Sequence, residues 1–286
     1  LLIFGKHSIV VYSGAEVPAS MALSDTIAGV GCVDRDTVQY TGTDVLFLSH
    51  TGLRSFGRTI QEKSMPIGSL SANISKDIIS LLTEPNESFT STYHPEENFY
   101  LLVFRNQDIA LCFDVRGLLE NGSYRVTRWP GTGFKSFTGK DDGTLLIGGS
   151  HGVGTYSGNT DNSTSYRFKY FSPELTFGDA SKLKFLKKLR PTIIGGSGAS
   201  LFIKWAYDFG TVYNSESISL TTQGLAEYNT AEFNVGEFAV GENTSRTSIN
   251  ANGSGGTLTI GVESDINGFE LSVQEINVLA LAGRTL

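Results

Sequence analysis

The chain alternates short apolar runs with short polar or glycine-rich turns, and long helical periodicity is absent. "LLIFGKHSIVVYSG" (Leu1 to Gly14) and "LLIGGSHGVGTYSG" (Leu145 to Gly158) align without a gap and share eight of fourteen letters. Two fainter copies lie between them, "VLFLSHTGLRSF" (Val45 to Phe56) and "LLVFRNQDIALC" (Leu101 to Cys112). Each copy is two apolar runs around a turn, the pattern of a β-hairpin. The copies begin at residues 1, 45, 101 and 145, so the spacings are 44, 56 and 44. Three are preceded by a further β-like run, from Asp36, Glu87 and Gly133. "KDDGT" (Lys140 to Thr144) supplies the Asp-Gly pair of a tight turn. Units of three or four strands recurring every forty-odd residues predict propeller blades.

From about residue 159 the blade repeat stops. "SYRFKYFSPELTFG", "LKFLKKLRPTIIGG", "SLFIKWAYDFG", "TLTIGVES" and "FELSVQEINVLALAG" alternate apolar and polar positions. Half-apolar sheets bury one face against each other, so these strands predict a sandwich. "NTSRTSINANGSGGT" (Asn243 to Thr257) reads as a long polar turn, and "GLAEYNTAEFNVGEFAVGEN" as a meandering edge segment. The expected architecture is all-β: a partial β-propeller over residues 1–158, with earlier blades missing, and a β-sandwich-like domain over 159–286. The one helix candidate is Ser69 to Leu82, with Ile74, Ile78 and Leu81 on one face.

Composition narrows the chemistry. Two cysteines, Cys32 and Cys112, have no framework or metal-ligand spacing and are expected as free thiols. "GGSHGVG" sits inside a hairpin rather than between a strand and a helix, so it does not read as a dinucleotide loop. His7 and His151 share one repeat position and His50 falls one place off it, which suits turn histidines satisfied by hydrogen bonds. With His94 these are all the histidines, and neither a metal nor a cofactor is expected. Asp141 and Asp142 are adjacent but lie in a turn, so they do not form the opposed carboxylate pair of a glycosidase. The chain is expected not to be an enzyme. It also lacks an apolar run of membrane-spanning length, and no secretory signal peptide is read at its start.

Charge is unevenly spread. Up to Arg190, 19 basic residues balance 19 acidic ones; beyond it ten acidic residues face three basic ones. Just before that boundary Lys182, Lys184, Lys187, Lys188 and Arg190 form a basic run. It reads either as a docking patch or as the solvated face of an edge strand, where lysine discourages aggregation.

"FGRTIQEKSMPIGSLSANISKDI" (Phe56 to Ile78) resembles the inter-blade stretch of tail nozzle proteins of short-tailed bacteriophages, also called tail tubular protein B and overlapping with DNA-stabilisation proteins. The resemblance continues through Lys169 to Pro191, Leu201 to Gly210 and Gly268 to Arg284. It implies a propeller joined to sandwich-like domains, six copies in a ring, and a location in the virion tail after assembly in the host cytoplasm. Its partners would be a tail adaptor, tail fibre or tip proteins, and double-stranded DNA in non-specific transit. In such a channel Glu227, Glu232, Glu237 and Glu242, spaced by five, become lining candidates that repel the duplex; on an outer surface they are ordinary solubility charge. A kelch-like or adhesive propeller and a glycan-degrading propeller are the alternatives.

Overall fold

In a computed structural model the described residues are 1–62, 68–150, 152–196, 198–220 and 244–285. They are mostly strand and divide into two compact units, Leu1–Tyr156 and Ser157–Leu286.

The first unit contains four antiparallel sheets, each a meander of strands consecutive in the chain. Sheet one is β1 (Leu2–Phe4), β2 (Ser8–Ser13) and β3 (Ala22–Ala28). Sheet two is β4 (Gln39–Tyr40), β5 (Val45–Ser49) and β6 (Gly52–Ser55), followed by helices α1 (Phe56–Glu62) and α2 (Ser75–Leu82). Sheet three is β7 (Phe89–His94), β8 (Phe99–Phe104), β9 (Ile109–Leu118) and β10 (Tyr124–Pro130). Sheet four is β11 (Phe134–Gly139), β12 (Leu145–Gly149) and β13 (Gly152–Thr155).

The repeat is visible in the register. Leu2 pairs with Val11 and Phe4 with Ile9, just as Leu146 pairs with Thr155 and Gly148 with Val153. The ungapped alignment of the two segments therefore holds pair by pair. In the second copy Ser49 pairs with Gly52, as Gly149 pairs with Gly152 in the fourth. Both partner glycines have positive φ, 124° and 117°, a conformation that glycine adopts freely and a side chain resists. The third copy repeats the register of the first: Phe104 pairs with Ile109 across four residues, as Phe4 pairs with Ile9.

Alternation along β5 and β8 explains how the sheets pack. Leu46 and Leu48 of β5 face sheet three, while Phe47 between them packs with Ile9 and Ile27 of sheet one. Tyr100, Leu102 and Phe104 of β8 face sheet two; Phe99, Leu101 and Val103 pack with Leu145 of sheet four. Every residue of β8 is buried, because its sheet has neighbours on both faces. Successive sheets thus stack face to face in chain order, as blades do. Polar links fix the spacing of sheets two and three. The Tyr100 hydroxyl donates to the Thr37 carbonyl at 2.7 Å, and Gln39 Nε2 donates to the Ser91 carbonyl at 3.0 Å. The helix candidate is realised as α2, preceded by a 3-10 turn over Ala72–Ile74, with Ile78 and Leu81 buried.

The second unit is a two-sheet sandwich. One sheet has the order β14 (Tyr166–Phe171), β21 (Leu258–Ile266), β16 (Ser200–Tyr207), β17 (Asn214–Ser219). The other is built on β15 (Lys182–Gly195), with β22 (Leu271–Thr285) on one side. On the other side lie β18 (Thr244–Arg246), β19 (Ile249–Asn250) and β20 (Ser254–Gly255). Leu186, Leu189 and Ile193 of β15 meet Leu201, Ile203 and Trp205 of β16 and Ile260 and Val262 of β21 in one core.

Two expectations are corrected. The stretch Asn243 to Thr257 is not merely a turn. Within it, β18, β19 and β20 pair with β15 through backbone groups, and Ile249 and Ala251 enter the core. And β15 is a central strand, not an edge, because β22 occupies one side and the three short strands the other. The meandering segment from Gly224 to Asn243 lies outside the described residues.

Candidate functional site

The basic run sits on β15, and alternation divides it. Lys184 is buried and donates from Nζ to the carbonyls of Gly256, at 2.7 Å, and Asp179. Its role is to satisfy backbone acceptors at the sandwich end, so it leaves the docking set. Lys182 pairs with Asp179 at 3.4 Å. Lys187 and Arg190 remain exposed and Lys188 is half-buried. A register shift between Leu186 and Lys188 places Leu186 and Leu189 in the core with both lysines of the interval outside it. On this outer face Phe185 lies opposite Leu281 and Lys188 opposite Leu279. Phe185, Leu279 and Leu281 are exposed large apolar residues. The sequence reading saw the cations and missed this apolar companion, which only the pairing of β15 with β22 assembles.

The other sheet of the sandwich carries a charge network on its outer face. Glu263 accepts from Arg167 at 2.7 Å and Lys204 at 2.9 Å, and Arg167 also reaches Asp265 at 2.6 Å. The Arg167 guanidinium lies over the Phe202 ring, 5.4 Å from its centroid. Burial alone raises the Glu263 carboxyl, but the hydrogen bonds from Arg167 and Lys204 outweigh it and hold the group below its ordinary value. All four charges are neutralised internally, so the network clamps β14, β21 and β16 together. Beside it Phe171 lies against the backbone of Gly261, where a Cβ would collide with the ring.

The edges of this sheet differ. β14 reads Tyr-Arg-Phe-Lys-Tyr-Phe and leaves Tyr166 42% and Tyr170 54% exposed. β17 reads Asn-Ser-Glu-Ser-Ile-Ser and borders a groove of about 500 Å³ shared with residues 247–250. The groove floor is Ile218 and Ile249, both buried, and its walls include Glu216, Ser219 and Asn250.

In the first unit the rings of His7 and His50 stack, 5.3 Å between centroids. That contact replaces the hydrogen-bonded turn histidines expected, and it follows from the face-to-face approach of sheets one and two. His151 lies outside the described residues, as do Glu227, Glu232, Glu237 and Glu242. His94 is buried and stacks on Phe99 at 5.1 Å; its Nδ1 accepts from the Glu97 amide at 3.2 Å. Tyr156 donates from its hydroxyl to Glu97 at 3.2 Å. Asp142 accepts from the Thr144 amide at 2.9 Å within the Lys140–Thr144 turn. Cys32 and Cys112 are free, and burial pushes the Cys112 thiol up to about 12. Among the described residues no group of three or more His, Cys, Asp or Glu is disposed to hold a metal. None of the described helices is long and apolar enough to cross a membrane.

No protein-family profile matches the chain, and no curated protein does. It is similar to a solved glycoside hydrolase family 43 arabinoxylan arabinofuranohydrolase from Bacillus subtilis, in complex with cellotetraose. The identity is 9% and the TM-score 0.25, over 95% of this chain and 58% of that one. The expectation that the chain is not an enzyme is therefore withdrawn, since a structure it is similar to is one. A likeness at that score assigns no activity to this chain, and the fold described above rests on its own sheets.

Proposed function

We propose that this chain is a building block of a homo-oligomeric assembly, in the manner of the tail nozzle proteins whose sequences it resembles. The observation that supports this is the exposed outer face of β15 and β22. There Phe185, Leu279 and Leu281 lie beside Lys187, Lys188 and Arg190. A monomer that stays single seldom exposes apolar side chains together on a flat sheet, because burying them against a partner is favourable. In the nozzle reading the assembly is a six-copy ring in a virion tail. The basic rim of the face meets an acidic neighbour such as an adaptor, a fibre or tip protein, and DNA passes through. Light scattering and negative-stain microscopy of the purified chain test it: rings of several copies are expected, and a monomer at every concentration would contradict it.

A second reading is a glycan-binding or glycan-cleaving propeller. It is favoured by acidic groups from two neighbouring turns of the first unit: Glu96 lies against Gly143, within the Asp141–Asp142 turn. Release of reducing sugar from plant or bacterial polysaccharides, lost on Glu96→Gln with Glu97→Gln, would favour it over the first.

A further inference from the structure

The two edges of the sheet β14-β21-β16-β17 are complementary. Among the described residues neither β14 nor β17 has a second strand partner. Each is six residues long. Arg167 and Lys169 of β14 lie on the outer face of the sheet and Glu216 of β17 on its core side, so the fit of the two edges is one of shape and not of charge. β14 presents two half-exposed tyrosines, and β17 borders the groove floored by Ile218 and Ile249. A tyrosine suits such a site, with an apolar ring for the floor and a hydroxyl for the polar wall.

We propose that β14 of one copy pairs antiparallel with β17 of the next, with Tyr166 entering the groove. This rests on the assembly reading above and names its subunit contact. Strand direction permits it. Each neighbour in the sheet is antiparallel to the last, so β17 runs opposite to β14 and a following copy continues the alternation. Face also sets the register. Tyr166, Phe168 and Tyr170 lie opposite Ile266, Ser264 and Val262 on the core side; Asn214, Glu216 and Ile218 lie opposite Trp205, Ile203 and Leu201 on that side. Keeping core side to core side pairs Tyr166 with Ile218, Phe168 with Glu216 and Tyr170 with Asn214. Such a pairing adds about six backbone hydrogen bonds between copies. Because the two patches differ, the contact is head-to-tail and builds rings or open filaments, not two-fold dimers.

The register gives the test. In one copy β14 and β17 are three strand spacings apart, about 14 Å, too far for a disulfide. The variant carrying both Tyr170→Cys and Asn214→Cys can therefore join these positions only between copies. Mild oxidation is expected to yield a ladder of covalent multimers. The parent, with Cys32 and Cys112 alone, is expected to yield none. Independently, Tyr166→Ser with Tyr170→Ser is expected to weaken assembly by about 30-fold or more, the effect of losing an interface anchor. Unchanged melting of the dilute chain would show that the fold is intact. Assembled protein that gives no ladder and tolerates the tyrosine changes would overturn the strand pairing while leaving the assembly reading standing. A parent that is monomeric throughout would overturn both.

Discussion

The two units bury strands in opposite ways. In the first, β5 and β8 lie between neighbouring sheets, and alternate residues serve two different cores. In the second, each sheet has one face on a shared core and the other outward, and the edges β14 and β17 end without partners among the described residues. Only the middle of the stack is enclosed on both sides; sheets one and four, like the sheets of the sandwich, turn one face outward, with Leu1, Ile3, Leu23 and Val153 exposed. The difference sets the enclosed strand β8 in the first unit against the unpaired edges β14 and β17 in the second, which the proposed assembly would cover.

The sharpest way to break this comparison is inside the stack. Phe104 is fully buried between sheets two and three, and Phe104→Ala is expected to destabilise the first unit by about 4 kcal/mol. Chemical denaturation checks it; a loss below about 1 kcal/mol would mean that the stack is loose.

The next effect belongs to the second unit. Glu263→Gln removes the carboxylate that joins Arg167 and Lys204 and is expected to destabilise by about 2–3 kcal/mol, discounted from a fully buried pair because Arg167 is partly exposed. The pH dependence has a definite sign. The carboxyl of Glu263 is held below its ordinary value of 4.5 in the folded state. Its stabilisation is therefore complete above that ordinary value and is lost as pH falls through the depressed one. The parent and Glu263→Gln are expected to differ at pH 7 and to converge under acid, in a melting series.

The repeat itself can be probed by a smaller pair of changes. Gly52 and Gly152 hold equivalent register positions with positive φ, yet a Cβ at Gly52 meets the Ser69 and Ser71 hydroxyls while Gly152 is open. Gly52→Ala is expected to cost about 2 kcal/mol and Gly152→Ala about 1 kcal/mol. Equal losses would mean that the neighbouring serines yield freely. Least of all, Leu281→Ser on the exposed face is expected to change folding stability by no more than about 0.5 kcal/mol, while loosening contacts between copies. A large drop in melting temperature would place Leu281 in a core.

The legibility of the sequence follows the same division. The hairpins of the first unit were readable because a short turn joins strands that are adjacent in the chain, so Leu1–Gly14 and Leu145–Gly158 kept both letters and pairing. α1 was not readable. It is seven residues long, and its start is held by Asp44, a residue outside it that accepts from the Gly57 amide at 2.9 Å. In the second unit the alternation of β15 was readable, but its central position was not. Its partners β18, β19 and β20 are two or three residues long and distant in sequence, and Ile249 is the one large apolar side chain among them. The candidate site suffered from the same limit: Lys184 looks like its neighbours until Gly256 is brought to it from 72 residues away.

Hydrogen exchange on dilute and assembled protein tests the central claim most directly. The backbone amides of β14 and β17 are expected to exchange readily in the dilute chain and to gain protection on assembly. Those of β8, already enclosed by two sheets, are expected to be protected equally in both. Assembly that leaves β14 and β17 unprotected, or that protects the first unit instead, would contradict the account.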